Sequence, residues 1–116
     1  MFDKVSMLIV IVSDMKRSVE FYRDTLGLPL KFESPGWSEF ATPGTTLALH
    51  PETEQKKVNP GGISFGFNTG NLDEAYETLK ARGVRFIMPP TQQDFGFRLA
   101  VFLDPDGYPI PVSDYH

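Results

Sequence analysis

Few residues in this chain can carry chemistry. His50 and Glu39 are candidate general bases or hydrogen-bonding groups, Trp37 offers a flat surface for stacking, and Arg98 offers a planar fork for a carboxylate or phosphate. There is no cysteine, so thiolate nucleophiles, disulfides and cysteine-based zinc or iron–sulfur sites are excluded. The chain has two histidines, His50 and His116. A histidine-rich metal centre therefore cannot be built from one chain.

The 116 residues suit one domain, or two very small modules sharing a core. A composition 41% hydrophobic and 22% charged is that of a folded globular protein. Eleven basic against fifteen acidic side chains leave a net charge of −4, with no run of Lys or Arg longer than two. Phosphate neutralisation needs a basic footprint, so nucleic acid is not an expected partner. The apolar run Val5 to Val12 is too short to cross a membrane and is not followed by a cleavage-like small-residue pattern. Together with the lack of cysteine this suggests a cytoplasmic protein.

The positioning elements repeat. Val5 to Val12 reads as a buried strand. Asp14 then caps a helix with Met15, Val19, Tyr22 and Leu26 at helical spacing, ended by Gly27. Leu28 to Glu33, Trp37 to Ala41 and Thr45 to His50 are extended, separated by Ser34-Pro35-Gly36 and Thr42-Pro43-Gly44 turns. After a polar linker over 51–60 the order recurs. Ile63 to Phe67 is a strand, Asn71 opens a helix carrying Leu72, Ala75 and Leu79, and Gly83 ends it. Val84 to Met88, Phe97 to Asp104 and Tyr108 to Ser113 are extended, split by Pro89-Pro90 and by Asp104-Pro105-Asp106-Gly107. The expected fold is α+β: two tandem βαβββ modules, 1–50 and 61–116, forming a curved mixed sheet with helices on its outer face, within a single domain over 1–116.

Hairpin geometry then assigns faces. A two-residue Pro43-Gly44 tip pairs Ala41 with Thr46, Glu39 with Ala48 and Trp37 with His50. Trp37, Glu39, Ala41, Thr46, Ala48 and His50 then share one face, and Ser38, Phe40, Leu47 and Leu49 pack against the helix. A four-residue loop over Asp104 to Gly107 pairs Phe102 with Pro109, Ala100 with Pro111 and Arg98 with Ser113. That puts Leu99, Val101, Leu103, Ile110 and Val112 on the helix side, and Arg98 and Phe102 on the ligand side.

The duplicated pattern, with Val12-Ser13-Asp14-Met15 leading into Phe21-Tyr22-Arg23-Asp24-Thr25-Leu26-Gly27-Leu28 and with Asp104-Pro105-Asp106-Gly107-Tyr108 near the end, resembles the vicinal oxygen chelate superfamily over residues 5–113. That superfamily includes glyoxalase I, extradiol dioxygenases, fosfomycin-resistance enzymes and bleomycin-resistance binding proteins. The resemblance implies four metal-ligand positions, occupied in this chain by Met7, Ala48, Gly62 and Pro111. A thioether suits hard divalent ions poorly, and the other three side chains offer no ligand. This resembles the branch that binds small molecules without a metal, so the resemblance implies no metal or other cofactor, and members this short usually pair as homodimers.

The expected ligand-binding residues are Met7, Ile9, Ile11, Trp37, Glu39, His50, Arg98 and Phe102, around a small-molecule ligand, aromatic or cationic. Met7, Ile9, Ile11 and Phe102 would form its apolar floor. Trp37 is either the stacking platform or a core or dimer-interface aromatic. His50 is a ligand hydrogen-bonder, a general base or a solvated strand end. Glu39 sits at a wet rim or receives a ligand cation. Arg98 binds an anion or pairs with Glu39 or a surface acid. Phe95 and Phe97 would close a pocket or pack on a partner chain, and the carboxylates of Asp104 and Asp106 form a turn. The rival readings are a lyase or dioxygenase with an unconventional metal site, a metal-free catalyst using His50 or Glu39 as base, and an interaction module with a vestigial cavity.

Overall fold

The computed structural model describes residues 1–94 and 96–114; Phe95 and His116 lie outside them. The described chain forms two compact units, Met1–Val58 and Asn59–His116. Each follows the order βαβββ and carries its own four-stranded mixed sheet, so the α+β duplication expected from the sequence is the architecture found. Among the described residues no helix is long and apolar enough to cross a membrane.

In the first unit, β1 (Met7–Val12) runs parallel to β4 (Thr46–Pro51), which pairs antiparallel with β3 (Ser38–Phe40) and through it with β2 (Leu30–Phe32). Helix α1 (Met15–Glu20) starts where the Asp14 carboxylate accepts the Arg17 backbone N–H. It widens into a π-helical turn over Phe21–Thr25 before Gly27 leaves with φ +79°. One continuous helix was predicted there, but the Leu26 N–H reaches back to the Phe21 carbonyl, a five-residue step. Val19 and Tyr22 are buried, and the Tyr22 ring lies 5.9 Å from Phe40. The helix therefore covers the sheet face holding Ser38, Phe40, Leu47 and Leu49, as the alternation predicts.

In the second unit, β5 (Phe67–Asn68) runs parallel to β8 (Pro109–Ser113), followed by β7 (Arg98–Leu103) and the edge strand β6 (Phe86–Gln92). Helix α2 (Leu72–Ala81) is capped by the Asn71 side chain, which accepts the Glu74 N–H. It ends in a paired closure, Gly83 N–H to Lys80 and Val84 N–H to Leu79, around a glycine with φ +85°. Strand β5 is much shorter than the predicted Ile63 to Phe67. Gly62 is drawn into a turn by its bond to the Asn59 carbonyl, and Gly66 lies so close to β8 that a Cβ there would clash with the Pro111 carbonyl oxygen. Pro89-Pro90 does not split the next strand as expected. It lies inside β6, where the register to β7 shifts, and an edge strand tolerates missing donors.

The β7–β8 hairpin corrects the face assignment. Phe102 stands opposite Ile110, Ala100 opposite Val112 and Leu99 opposite Ser113, one residue from the expected register. Asp104 and Tyr108 close the hairpin by a backbone bond, so the loop is the three residues Pro105 to Gly107, with Gly107 at φ +86°. A type I turn followed by a left-handed residue is the usual three-residue hairpin. Ala100, Phe102, Ile110 and Val112 are consequently the buried face, while Leu99, Val101, Leu103, Pro109 and Pro111 are only partly covered.

Candidate functional site

The exposed face of the first sheet gathers most of the expected residues. Across β1, β4, β3 and β2, one row runs Ile9, Ala48, Glu39, Phe32, and the next brings Ile11 opposite His50. Met7 pairs with Thr46 one row further on. Met7 and Ile9 are 42% and 41% exposed on the edge strand, while Ala48 between Ile9 and Glu39 is fully buried. Flanking a short alanine with taller side chains leaves an apolar floor with polar groups on one side.

Trp37 is held at the entry to β3 by the Ser34-Pro35-Gly36 turn. The Ser34 hydroxyl accepts the Trp37 N–H at 3.1 Å and donates to the Trp37 carbonyl at 2.7 Å. The indole Nε1–H donates to Glu39 Oε2 at 2.8 Å, which orients the ring along the strand. The His50 ring meets it edge to face, centroids 6.2 Å apart at 80°. His50 Nδ1 lies 2.7 Å from the Pro51 carbonyl oxygen. A carbonyl only accepts, so Nδ1 carries the proton and, in the neutral ring, Nε2 is left with its lone pair. Glu39 Oε1 faces Lys31 Nζ at 3.9 Å. Since the lysine is well exposed, this pair adds little stability. One sheet face thus carries Trp37, Glu39 and His50 as a linked group, with Ile11 opposite His50 and Ile9 and Met7 further along β1.

Arg98 and Phe102 do not belong to a ligand face in the second unit. Phe102 is 1% exposed, with its ring 5.5 Å from Phe86, which in turn stacks edge-on at 4.7 Å against Tyr76 of α2. The Arg98 guanidinium is held by two acids, with Nη1 and Nη2 each 3.1 Å from an Asp73 oxygen at the start of α2 and Nε 3.2 Å from Asp114 Oδ2. Of its sequence alternatives, pairing with a surface acid is the one realised. The hairpin slip explains both corrections, since Arg98 shares the parity of Phe102.

Asp114 accepts the Arg98 backbone N–H at 2.8 Å, and this bond, with help from the guanidinium, holds its carboxyl below the usual range. A depressed folded-state pKa contributes stability above the unfolded value and loses it as pH falls through the folded one. An Asp114→Asn variant is therefore expected to show a shallower loss of stability below the ordinary carboxylate range, read from unfolding midpoints across an acid series.

The four positions that the family resemblance assigns to metal ligands offer no donor set. Met7 and Ala48 lie on the first face, Gly62 is in a turn, and Pro111 is a partly covered residue of β8. Among the described residues, no three His, Asp or Glu side chains cluster so as to hold a metal ion. A family-type divalent centre does not fit these residues. A shallow hollow of about 390 Å³ in the first unit is lined by Met15, Lys16, Glu33, Ser34 and Pro35, none of them an expected site residue.

Residues 4–112 match the model of the Glyoxalase/Bleomycin resistance protein/Dioxygenase superfamily. The chain belongs to that superfamily. It is 31% identical over 117 residues to the uncharacterized protein YraH of Bacillus subtilis, covering 89% of this chain and 91% of that protein. It is 29% identical over 106 residues to the metallothiol transferase FosB of Staphylococcus haemolyticus, covering 87% of this chain and 76% of that enzyme. Among solved structures, a superfamily member from Sphaerobacter thermophilus superposes with a TM-score of 0.80 at 30% identity, covering 97% of both chains.

Proposed function

We propose that the protein is a metal-independent small-molecule binding or sequestration protein, taking an aromatic or cationic ligand on the Trp37 face and acting as a cytoplasmic homodimer. The observation that carries the reading is the grouping on one sheet face of an oriented indole, an imidazole with one nitrogen committed, and exposed Met7 and Ile9. Apolar surface of this kind beside a few convergent polar groups is the usual make-up of a ligand site. Exposed edge-strand apolar side chains also favour a second chain, because large apolar patches are rare on monomers.

Similarity to a metallothiol transferase favours a second reading, an enzyme of the same superfamily with an unconventional metal site. Elemental analysis of dialysed protein separates the two: less than a tenth of an equivalent of Fe, Ni, Zn or Mn is expected, and a stoichiometric metal overturns the first. The binding claim is tested with a panel of aromatic and cationic compounds by thermal shift and calorimetry. Trp37→Ala is expected to weaken the best ligand about three- to tenfold, the range of an aromatic contact, and an unchanged affinity removes Trp37 from the site. Sedimentation at micromolar concentration reads the dimer, and a monomer there removes that part of the proposal.

A further inference from the structure

We infer that His50 makes the site selective for neutral planar ligands carrying a hydrogen-bond donor, a phenolic O–H or an aromatic N–H, over equally shaped ligands that only accept or that are cations. The inference rests on the Trp37 face being the ligand site and says what that face selects.

Four arrangements support it. The Pro51 carbonyl, 2.7 Å from Nδ1, can be satisfied only by an N–H, so the tautomer is set by the backbone and not by the ligand. Nε2 is then an acceptor, on a ring that already meets Trp37 edge to face. A ligand on the indole whose rim meets that nitrogen must therefore donate to it. The cation alternative is weakened by how Glu39 is used. One of its oxygens takes the Trp37 indole N–H at 2.8 Å, and the other faces Lys31 at 3.9 Å. An incoming cation must displace the lysine charge, whereas an uncharged donor need not. Glu39 is therefore a positioning residue for the indole. Apolar Met7 and Ile9 on the same face give a neutral ring more to cover than an ion.

A rim donor satisfied by Nε2 is worth about a tenfold affinity difference against a ligand that leaves the acceptor unpaired. Calorimetry with 2-naphthol, 2-methoxynaphthalene, quinoline and 2-naphthylmethylammonium reads this directly. The shift of the one indole Nε1–H resonance reports whether each compound reaches Trp37, since the chain has a single tryptophan. The expected result is 2-naphthol bound about tenfold more tightly than the other three, with the preference over 2-methoxynaphthalene abolished in His50→Phe.

Equal binding of 2-naphthol and 2-methoxynaphthalene, with the indole resonance shifted by both, overturns the selectivity and leaves the site standing. Tightest binding by the ammonium compound, lost in Glu39→Gln, overturns it in favour of the cation. No indole shift with any of the four overturns the site reading and the inference with it. The premise has its own check that needs no variant: ring ¹⁵N shifts of wild-type His50 should show the Nδ1–H form in the neutral state, and an Nε2–H form overturns the inference.

Discussion

Replacing Phe102 with alanine is expected to destabilise the protein by about 3–5 kcal/mol, the range for emptying a large aromatic site from a packed core. The ring is 1% exposed and stands between Phe86 and the buried Ala100, Ile110 and Val112. Removing it leaves a cavity that β7 and β8 cannot close without giving up their ladder. Urea unfolding measures the loss as a lower midpoint. The substitution also separates two roles for this residue. As a floor residue of a ligand site, Phe102 would lose affinity with little change in stability; as a core residue it loses stability, and ligands bound at Trp37 are unaffected. A midpoint shift worth less than about 1 kcal/mol would return Phe102 to the exposed face, because surface changes rarely exceed half that.

The second large effect is expected at Asp104. Its Oδ1 accepts the backbone N–H groups of Asp106 and Tyr108, each at 2.9 Å, and the residue is 5% exposed. Asp104→Ala leaves both donors inside a tight hairpin, and the expected cost is about 2–3 kcal/mol, in keeping with bonds to a charged acceptor. Asp104→Asn keeps an acceptor of the same shape and should recover much of that. If both variants are as stable as the parent, the carboxylate is not what closes the turn, and the register of β7 on β8 must be held by the strands alone. The reading of the Asp-Pro-Asp-Gly carboxylates as turn formers is then lost as well.

The two hairpins show how far faces can be read from a sequence. In the first, Phe40 stands opposite Leu47 and Glu39 opposite Ala48, the register predicted, with Ala41 to Thr45 between the two strands. There β4 alternates Leu47 and Leu49 with Thr46, Ala48 and His50, and one register alone buries Phe40, Leu47 and Leu49 together. In the second, β7 reads Leu-Ala-Val-Phe-Leu after Arg98 and β8 opens Pro-Ile-Pro-Val, so either register yields an apolar face. Patterning could not choose. The signal was Gly107, which at the third loop position of Asp104-Pro105-Asp106-Gly107-Tyr108 takes the left-handed conformation and shortens the loop by one residue. That residue decided where Arg98 and Phe102 point.

The Trp37, Glu39 and His50 grouping was legible as a shared face, because strand parity is a local property. Its chemistry was not. Whether Glu39 meets a ligand or the indole, and which nitrogen of His50 is committed, depends on bonds to Trp37 and Pro51 that parity does not describe.

By itself, then, the sequence determined the duplicated βαβββ order, the capped helices with their terminal glycines, and the first sheet's two faces. These rest on residue type and on spacing within one element or one tight turn. Only the tertiary structure decided the one-residue slip of the second hairpin, the burial of Phe102, the capture of Arg98 by Asp73 and Asp114, and the tautomer of His50. Each of these depends on where a second element or a backbone carbonyl stands in space, and such placements follow from how the whole unit packs.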